Sequence, residues 1–223
     1  MRNLRTLRQV TLNPDLIPLD TSTTRGPEDT QLSAAALAEW SGHVDGVLRG
    51  IAHALNNRAA SLSAVMELAR EPAEEGGAIT TLLSIELQRI GDLAAVVGAI
   101  GAPRRGAEAF TPADAAADAA RVLSVHSGFR EPRATFEAAS AGPVRGERWM
   151  FVRALIALAS DAERVTIVDD RDWVVARAHG GDATRSTTLL EELSRLMEGE
   201  TLDDGQRGFR VPSLASLRRR EGR

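Results

Sequence analysis

The sequence predicts an α+β protein: a long antiparallel helical hairpin forming a dimeric four-helix bundle, followed by a small α/β sandwich. Three observations predict it. Two long stretches, at about 31–70 and 78–101, step their apolar residues by three and four, and a helix-stopping EPAEEGG run (Glu71 to Gly77) lies between them. Beyond residue 104 the texture becomes mixed, with helical runs alternating with short β-branched runs. The 223 residues are 43% hydrophobic and 26% charged, a globular composition large enough to bury a core.

Residues 1–30 read as an N-terminal tail, because Thr21 to Thr30 (TSTTRGPEDT) is polar and breaks any period. From Gln31 to Arg70, Leu37, Trp40, Val44, Val47, Ile51, Leu55, Ala59, Leu62 and Met66 form one stripe on a single helix. At a 1.5 Å rise such a helix runs roughly 60 Å, so it needs a long partner. Ile79, Leu82, Leu83, Leu87, Ile90, Leu93, Val97 and Ile100 repeat the stripe, and Gly101-Ala102-Pro103 ends it. Two such helices joined by a short turn make a hairpin. One hairpin buries its stripes poorly, which predicts a homodimer with a four-helix bundle over residues 31–103.

The second region spans residues 104–215. Phe110-Thr111-Pro112 introduces a helix over about 112–124, and Arg133 to Glu137 reads as a strand. Gly146 to Ala162 is apolar enough for a buried helix. Val165 to Asp169 and Asp172 to Ala178 form a β-hairpin around Asp170-Arg171. Thr184 to Glu198 is an amphipathic helix, and Gly208 to Val211 a last strand. Residues 216–223, with RRREGR at the end, read as a basic tail.

Composition removes many functions. A net charge of −4 argues against electrostatic nucleic-acid binding. Cysteine is absent, so disulfides and thiolate metal sites are excluded, in keeping with a reducing cytoplasm. All 27 basic residues are arginine, which excludes P-loop and Schiff-base lysines. No run reaches the roughly 20 apolar residues of a membrane span, and residues 1–16 hold no stretch of signal-peptide length. His43, His53, His126 and His179 have no metal-ligand spacing, and no Gly-x-Ser-x-Gly elbow or phosphate-binding glycine fingerprint is present. His179, before Gly180-Gly181, reads as a turn residue.

His53 carries the chemistry. It lies midway along the first long helix, about 200° around the axis from Ile51 and Leu55, and so points outward. Asn56 and Asn57 follow at i+3 and i+4, close to the ring on the helix surface. A neutral imidazole nitrogen is a good phosphoryl acceptor, and amide groups beside it orient a phosphoryl group without adding negative charge.

The run Gly50-Ile51-Ala52-His53-Ala54-Leu55-Asn56-Asn57 resembles the phospho-acceptor box of bacterial two-component histidine kinases. Ala54 replaces that family's acidic residue, and Arg58 replaces its proline. Phe110-Thr111-Pro112 resembles the opening of the family's ATP-binding domain, and Gly146 to Ala162 the helix of its asparagine box. Ile156 and Ser160 stand where that box carries asparagines, and Ala178-His179-Gly180-Gly181-Asp182 stands in place of its Asp-x-Gly-x-Gly run. The resemblance implies a degenerate ATPase-like domain and a dimeric histidine phosphotransferase of a phosphorelay. It implies His53 as phospho-acceptor, Asn56 and Asn57 as orienting groups, and Arg58 as a contact to the partner. The implied partners are response-regulator receiver domains and a hybrid histidine kinase. There is no intrinsic cofactor in this reading; Mg²⁺ comes with the receiver. The rival readings are a histidine kinase with a diverged ATP site and a non-catalytic dimeric adaptor.

Overall fold

Ser33 starts the first helix. Its Oγ accepts the Ala36 backbone N–H at 3.2 Å, and helix α1 runs Ala34–Leu68. The computed structural model describes residues 31–69, 76–100, 106–126, 134–138, 141–180, 187–202 and 206–221. Residues 1–30, 70–75 and 101–105, among others, lie outside these, and with them the expected N-terminal tail and most of the expected turn. Helix α2, Gly76–Ile100, begins at two glycines that the sequence assigned to the turn. Arg58 on α1 meets Glu86 on α2, while Gly50 on α1 shares a groove with Leu93 on α2, so the two helices run antiparallel.

The apolar stripe does not have one destination. Val47, Ile51 and Val65 of α1, with Leu93 and Val96 of α2, are buried within the chain. Leu37, Leu55, Met66, Leu82, Ile85, Leu87 and Val97 remain exposed. Leu55, expected beside Ile51 in the core, belongs to this second set. A stripe wider than one neighbouring helix can cover is split in this way.

Strand β1 (Glu108–Phe110) leads into α3 (Pro112–Ser124), whose boundaries match the sequence reading. Thr111 caps α3 by accepting the Asp114 N–H at 3.2 Å, with Pro112 in the first turn, where its missing N–H costs nothing. Strands β2 (Thr135–Ala138) and β3 (Val144–Gly146) precede α4 (Arg148–Ala159). The hairpin expected around Asp170-Arg171 is β4 (Arg164–Asp170) and β5 (Trp173–His179), with Arg171 at a φ of 58° in its turn. Helix α5 (Thr188–Leu196), β6 (Glu200–Thr201), β7 (Gly208–Pro212) and α6 (Leu214–Glu221) complete the order.

Five strands form one sheet in the order β2-β4-β5-β7-β6, parallel only between β2 and β4; β1 and β3 pair separately. Val165, Ile167, Val174 and Ala176 of the sheet join one core with Phe151, Leu155 and Leu158 of α4 and Leu189, Leu190 and Leu193 of α5. Phe151 sits at its centre, edge-to-face with Phe110 and Phe209 at centroid distances of 5.5 and 5.4 Å. The same core takes in Ala36, Val47 and Ile51 of α1, so the helical hairpin is anchored on the α/β layers.

The basic tail expected at 216–223 is helical over Leu214–Glu221 instead. Ser213 Oγ accepts the Ser216 N–H at 3.2 Å, Ser216 is buried, and Arg219 pairs with Asp172. A capped first turn and one anchoring ion pair outweigh the repulsion among three successive arginines.

Candidate functional site

Helix α1 presents His53 outward, as its spacing from Ile51 requires, and the imidazole is exposed. One turn on, Asn57 Nδ2 donates to His53 Nε2 at 3.3 Å. With the ring proton on Nδ1, the Nε2 lone pair is the acceptor of that bond. The two residues line a groove of about 850 Å³ with Gly50, Ala54 and Arg58 of α1, Arg89, Asp92 and Leu93 of α2, and Ser124, Val125 and His126 at the end of α3. His53 therefore stands where the hairpin meets the α/β layers. Asn56 is exposed but lies outside the groove lining. An amide 100° around the helix from Asn57 cannot face the same side.

Arg58 does not hang free in solvent. Its Nη1 donates to both oxygens of Glu86 at 3.3 Å, tying α1 to α2. Glu86 is only 7% exposed, and it also accepts from Arg89 Nη1 at 2.9 Å. A buried carboxylate needs such partners, and two guanidinium groups on one carboxylate leave the trio with a net positive charge. Further along α2, Gln88 Nε2 donates to Asp92 Oδ1 at 3.2 Å.

Histidines back the groove. His126 lies on α1 where Gly46 has no side chain; a Cβ there would stand 2.2 Å from His126 Nε2. His43 meets His126 edge-on at 6.2 Å, and Trp40 stands 6.3 Å from His43. Burial lowers the pKa of both histidines. His126 lowers that of His43 further, with Glu39 and Asp161 opposing and Arg207 assisting, while Arg49 adds to the shift of His126. Arg153 lies over the Trp40 ring at 4.9 Å, and Glu39 Oε2 accepts the Leu189 N–H of α5 at 2.9 Å. These contacts fix the angle at which α1 leaves the α/β layers.

The positions matched to the asparagine box have other work. Ile156 is a core residue, 1% exposed. Ser160 Oγ donates to Ala157 O at 2.8 Å and accepts from Arg207 Nη2 at 3.3 Å, and Arg207 also bonds Ala157 O and pairs with Asp161 at 3.4 Å. A buried guanidinium thus sits at the end of α4. His179 is the last residue of β5, not a turn residue, and its Nε2 bonds Thr166 Oγ1 at 2.8 Å. Gly181 and Asp182 lie outside the described residues. Among the described residues no group of three His, Asp or Glu side chains is placed to hold a metal ion.

The groove brings together His53, Asn57 and Arg58, which the sequence singles out, with Arg89 and His126, to which it gives no role; Glu86, which holds Arg58 and Arg89, is not singled out either. The signal for Glu86 and Arg89 was their i, i+3 spacing between Ile85 and Ile90, which puts opposite charges side by side on the helix.

No protein-family model matches the chain, and no curated protein matches it. Among solved structures it is similar to the Acinetobacter baumannii histidine kinase AdeS, 10% identical, with 71% of this chain covering 93% of that one at a TM-score of 0.38. It is also similar to the histidine kinase ThkA, solved in complex with the response regulator protein TrrA. There the identity is 14% and the TM-score 0.34, and 79% of this chain spans 62% of that one, less than two thirds of its length. These structural neighbours are histidine kinases, at low identity.

Proposed function

We propose that the chain is a histidine phosphotransferase, accepting a phosphoryl group from a receiver-domain aspartate onto His53 and passing it to another. The observation that carries the reading is His53 itself: an exposed imidazole on a long helix, its Nε2 within 3.3 Å of the Asn57 amide, in a surface groove. Nε2 attacks phosphorus in line as the aspartyl P–O bond breaks, and Asn57 moves its amide from the lone pair onto a phosphoryl oxygen. The receiver brings Mg²⁺ and a lysine, which this chain lacks, and transfer then needs chiefly placement and charge neutralisation. Arg58, in the groove lining and paired with Glu86, contributes with Arg89 to a net positive trio that favours an acidic receiver pocket. Asn56 serves, at most, the partner's surface.

In this reading residues 31–103 are the phosphotransfer and dimerisation hairpin, and 104–215 a degenerate ATPase-like domain that sets its angle. Two copies pair through the exposed apolar residues of α1 and α2 as a four-helix bundle in the cytoplasm. A hybrid histidine kinase stands upstream. The buried Arg207 at the end of α4 supports the loss of nucleotide binding, since a fixed cation opposes Mg²⁺ there.

Incubation with a phosphorylated receiver places an acid-labile, base-stable phosphate on His53, located by peptide mass. Phosphate on another residue, or none, overturns the reading. Incorporation of γ-phosphate from Mg²⁺–ATP onto His53 favours the kinase reading instead. Receiver binding without any transfer favours the adaptor.

A further inference from the structure

We infer that Arg89 is a second functional residue of the His53 site, binding the phosphoryl oxygens while the group is carried on this chain. The inference rests on the phosphotransfer reading and adds a residue to it from the opposite helix.

The geometry is that of a prepared anion site. Arg89 reaches the His53 groove from α2, and its side chain is about half exposed, at 51%. Its Nη1 is held by Glu86, which Arg58 holds from the other side. Orienting a guanidinium in advance removes much of the entropy cost of using it, and its planar fork matches two oxygens of a phosphoryl group. One contact to Glu86 leaves Arg89 further N–H donors. The bond to Glu86 does not by itself explain the residue. Arg58 already gives the buried Glu86 a partner and links the two helices, while Arg89 keeps about half of its side chain in solvent at the groove.

The chemistry makes a cation necessary. Nε2 of His53 donates its lone pair to phosphorus, and the P–O electron pair leaves with the aspartate carboxylate. The imidazolium that forms releases its Nδ1 proton to solvent. The phosphoryl oxygens keep their negative charge throughout. Receiver and Mg²⁺ neutralise that charge only while docked. Once they depart, the phosphate remains beside Asp92 and next to whatever cations this chain supplies. With no lysine in the sequence, those are the arginines of the groove, Arg58 and Arg89, and Arg58 is committed to both oxygens of Glu86.

Phosphoramidate, a small phosphoryl donor, tests this without any receiver. The full chain, Arg89→Ala, Arg89→Gln and His53→Ala are incubated with it, and phosphohistidine is followed by phosphorus NMR and peptide mass. The full chain labels at His53. Both Arg89 variants label about tenfold more slowly while still melting cooperatively as folded proteins. Added sulfate slows labelling of the full chain but not of Arg89→Gln, a response that a merely structural role would not give. Labelling of either Arg89 variant at the full chain's rate overturns the assignment of Arg89 and leaves the phosphotransfer reading standing. Absence of label on His53 in the full chain also overturns the assignment of Arg89, while the phosphorylated-receiver assay alone decides the phosphotransfer reading.

Discussion

Leu87→Asp separates the surface of the hairpin from its interior. Leu87 lies on α2 with 64% of its surface exposed, and Leu55 and Met66 of α1 are exposed as well. In a four-helix bundle that area is covered by a second copy. Full burial of a leucine side chain is worth about 1.5–3 kcal/mol, so covering this fraction contributes about 1–2 kcal/mol per copy. A twofold interface contains the residue twice, which makes about 2–4 kcal/mol, or roughly 30- to 1,000-fold in the dimer dissociation constant. A carboxylate adds its own desolvation cost, so the variant is monomeric at micromolar concentration. Its melting should stay cooperative, because Leu87 takes no part in the buried core. Ile51→Asp is the contrast: at 6% exposure it places a charge inside the chain and should unfold it. The assay is light scattering with a thermal melt on each variant. A monomeric wild type, or a Leu87→Asp protein with the wild-type mass, would refute the bundle.

Two further predictions concern the region behind the groove. Gly46→Ala should destabilise by about 1–2 kcal/mol, since the new Cβ would stand 2.2 Å from His126 Nε2 and the clash exceeds the helix-propensity gain of about 1 kcal/mol. Gly42→Ala, with nothing within 4 Å, should stabilise by up to about 1 kcal/mol, and denaturant titration reads both signs. The pH dependence follows from His43 and His126, whose pKa values the fold lowers. The unfolded chain then binds more protons than the folded one. Their contribution is fully present above the ordinary histidine value of about 6.5 and is lost as pH falls below it toward the depressed folded values. Melting temperature should drop from pH 7.5 to 5.5, and replacing both histidines with asparagine should flatten that slope. An unchanged slope would show that the pair does not titrate on unfolding.

The parts of the fold legible in the sequence are those with local causes. Thr111-Pro112 fixes the start of α3 through a cap and a preset φ, and the alternation in Val165 to Ala178 fixes the β4–β5 hairpin. Strands β1, β3 and β6 were not legible, because segments of two or three residues are strands only through their pairing, as Glu108 with Gly146 and Glu200 with Arg210. Helix α6 was hidden by its arginines, whose anchor, Asp172, lies 47 residues away in the chain. In the site, His53 and Asn57 stand four residues apart on one helix, and that spacing alone brings them together. Arg89 and His126 arrive by tertiary packing, and only the crossing of α2 and α3 onto α1 brings them into the groove that His53 lines, with Glu86 holding Arg89 from behind.

The central claim is that His53 moves a phosphoryl group, and the most direct measurement is the loss of phosphate from a phosphorylated receiver over time. Wild-type protein and His53→Ala are compared at equal concentration. The variant should keep its fold, because the exposed ring contributes little to the core. The account predicts rapid loss of receiver phosphate with the wild type, intermediate loss with Asn57→Ala, and loss no faster than the receiver's own hydrolysis with His53→Ala. Equal loss with wild type and His53→Ala would contradict it.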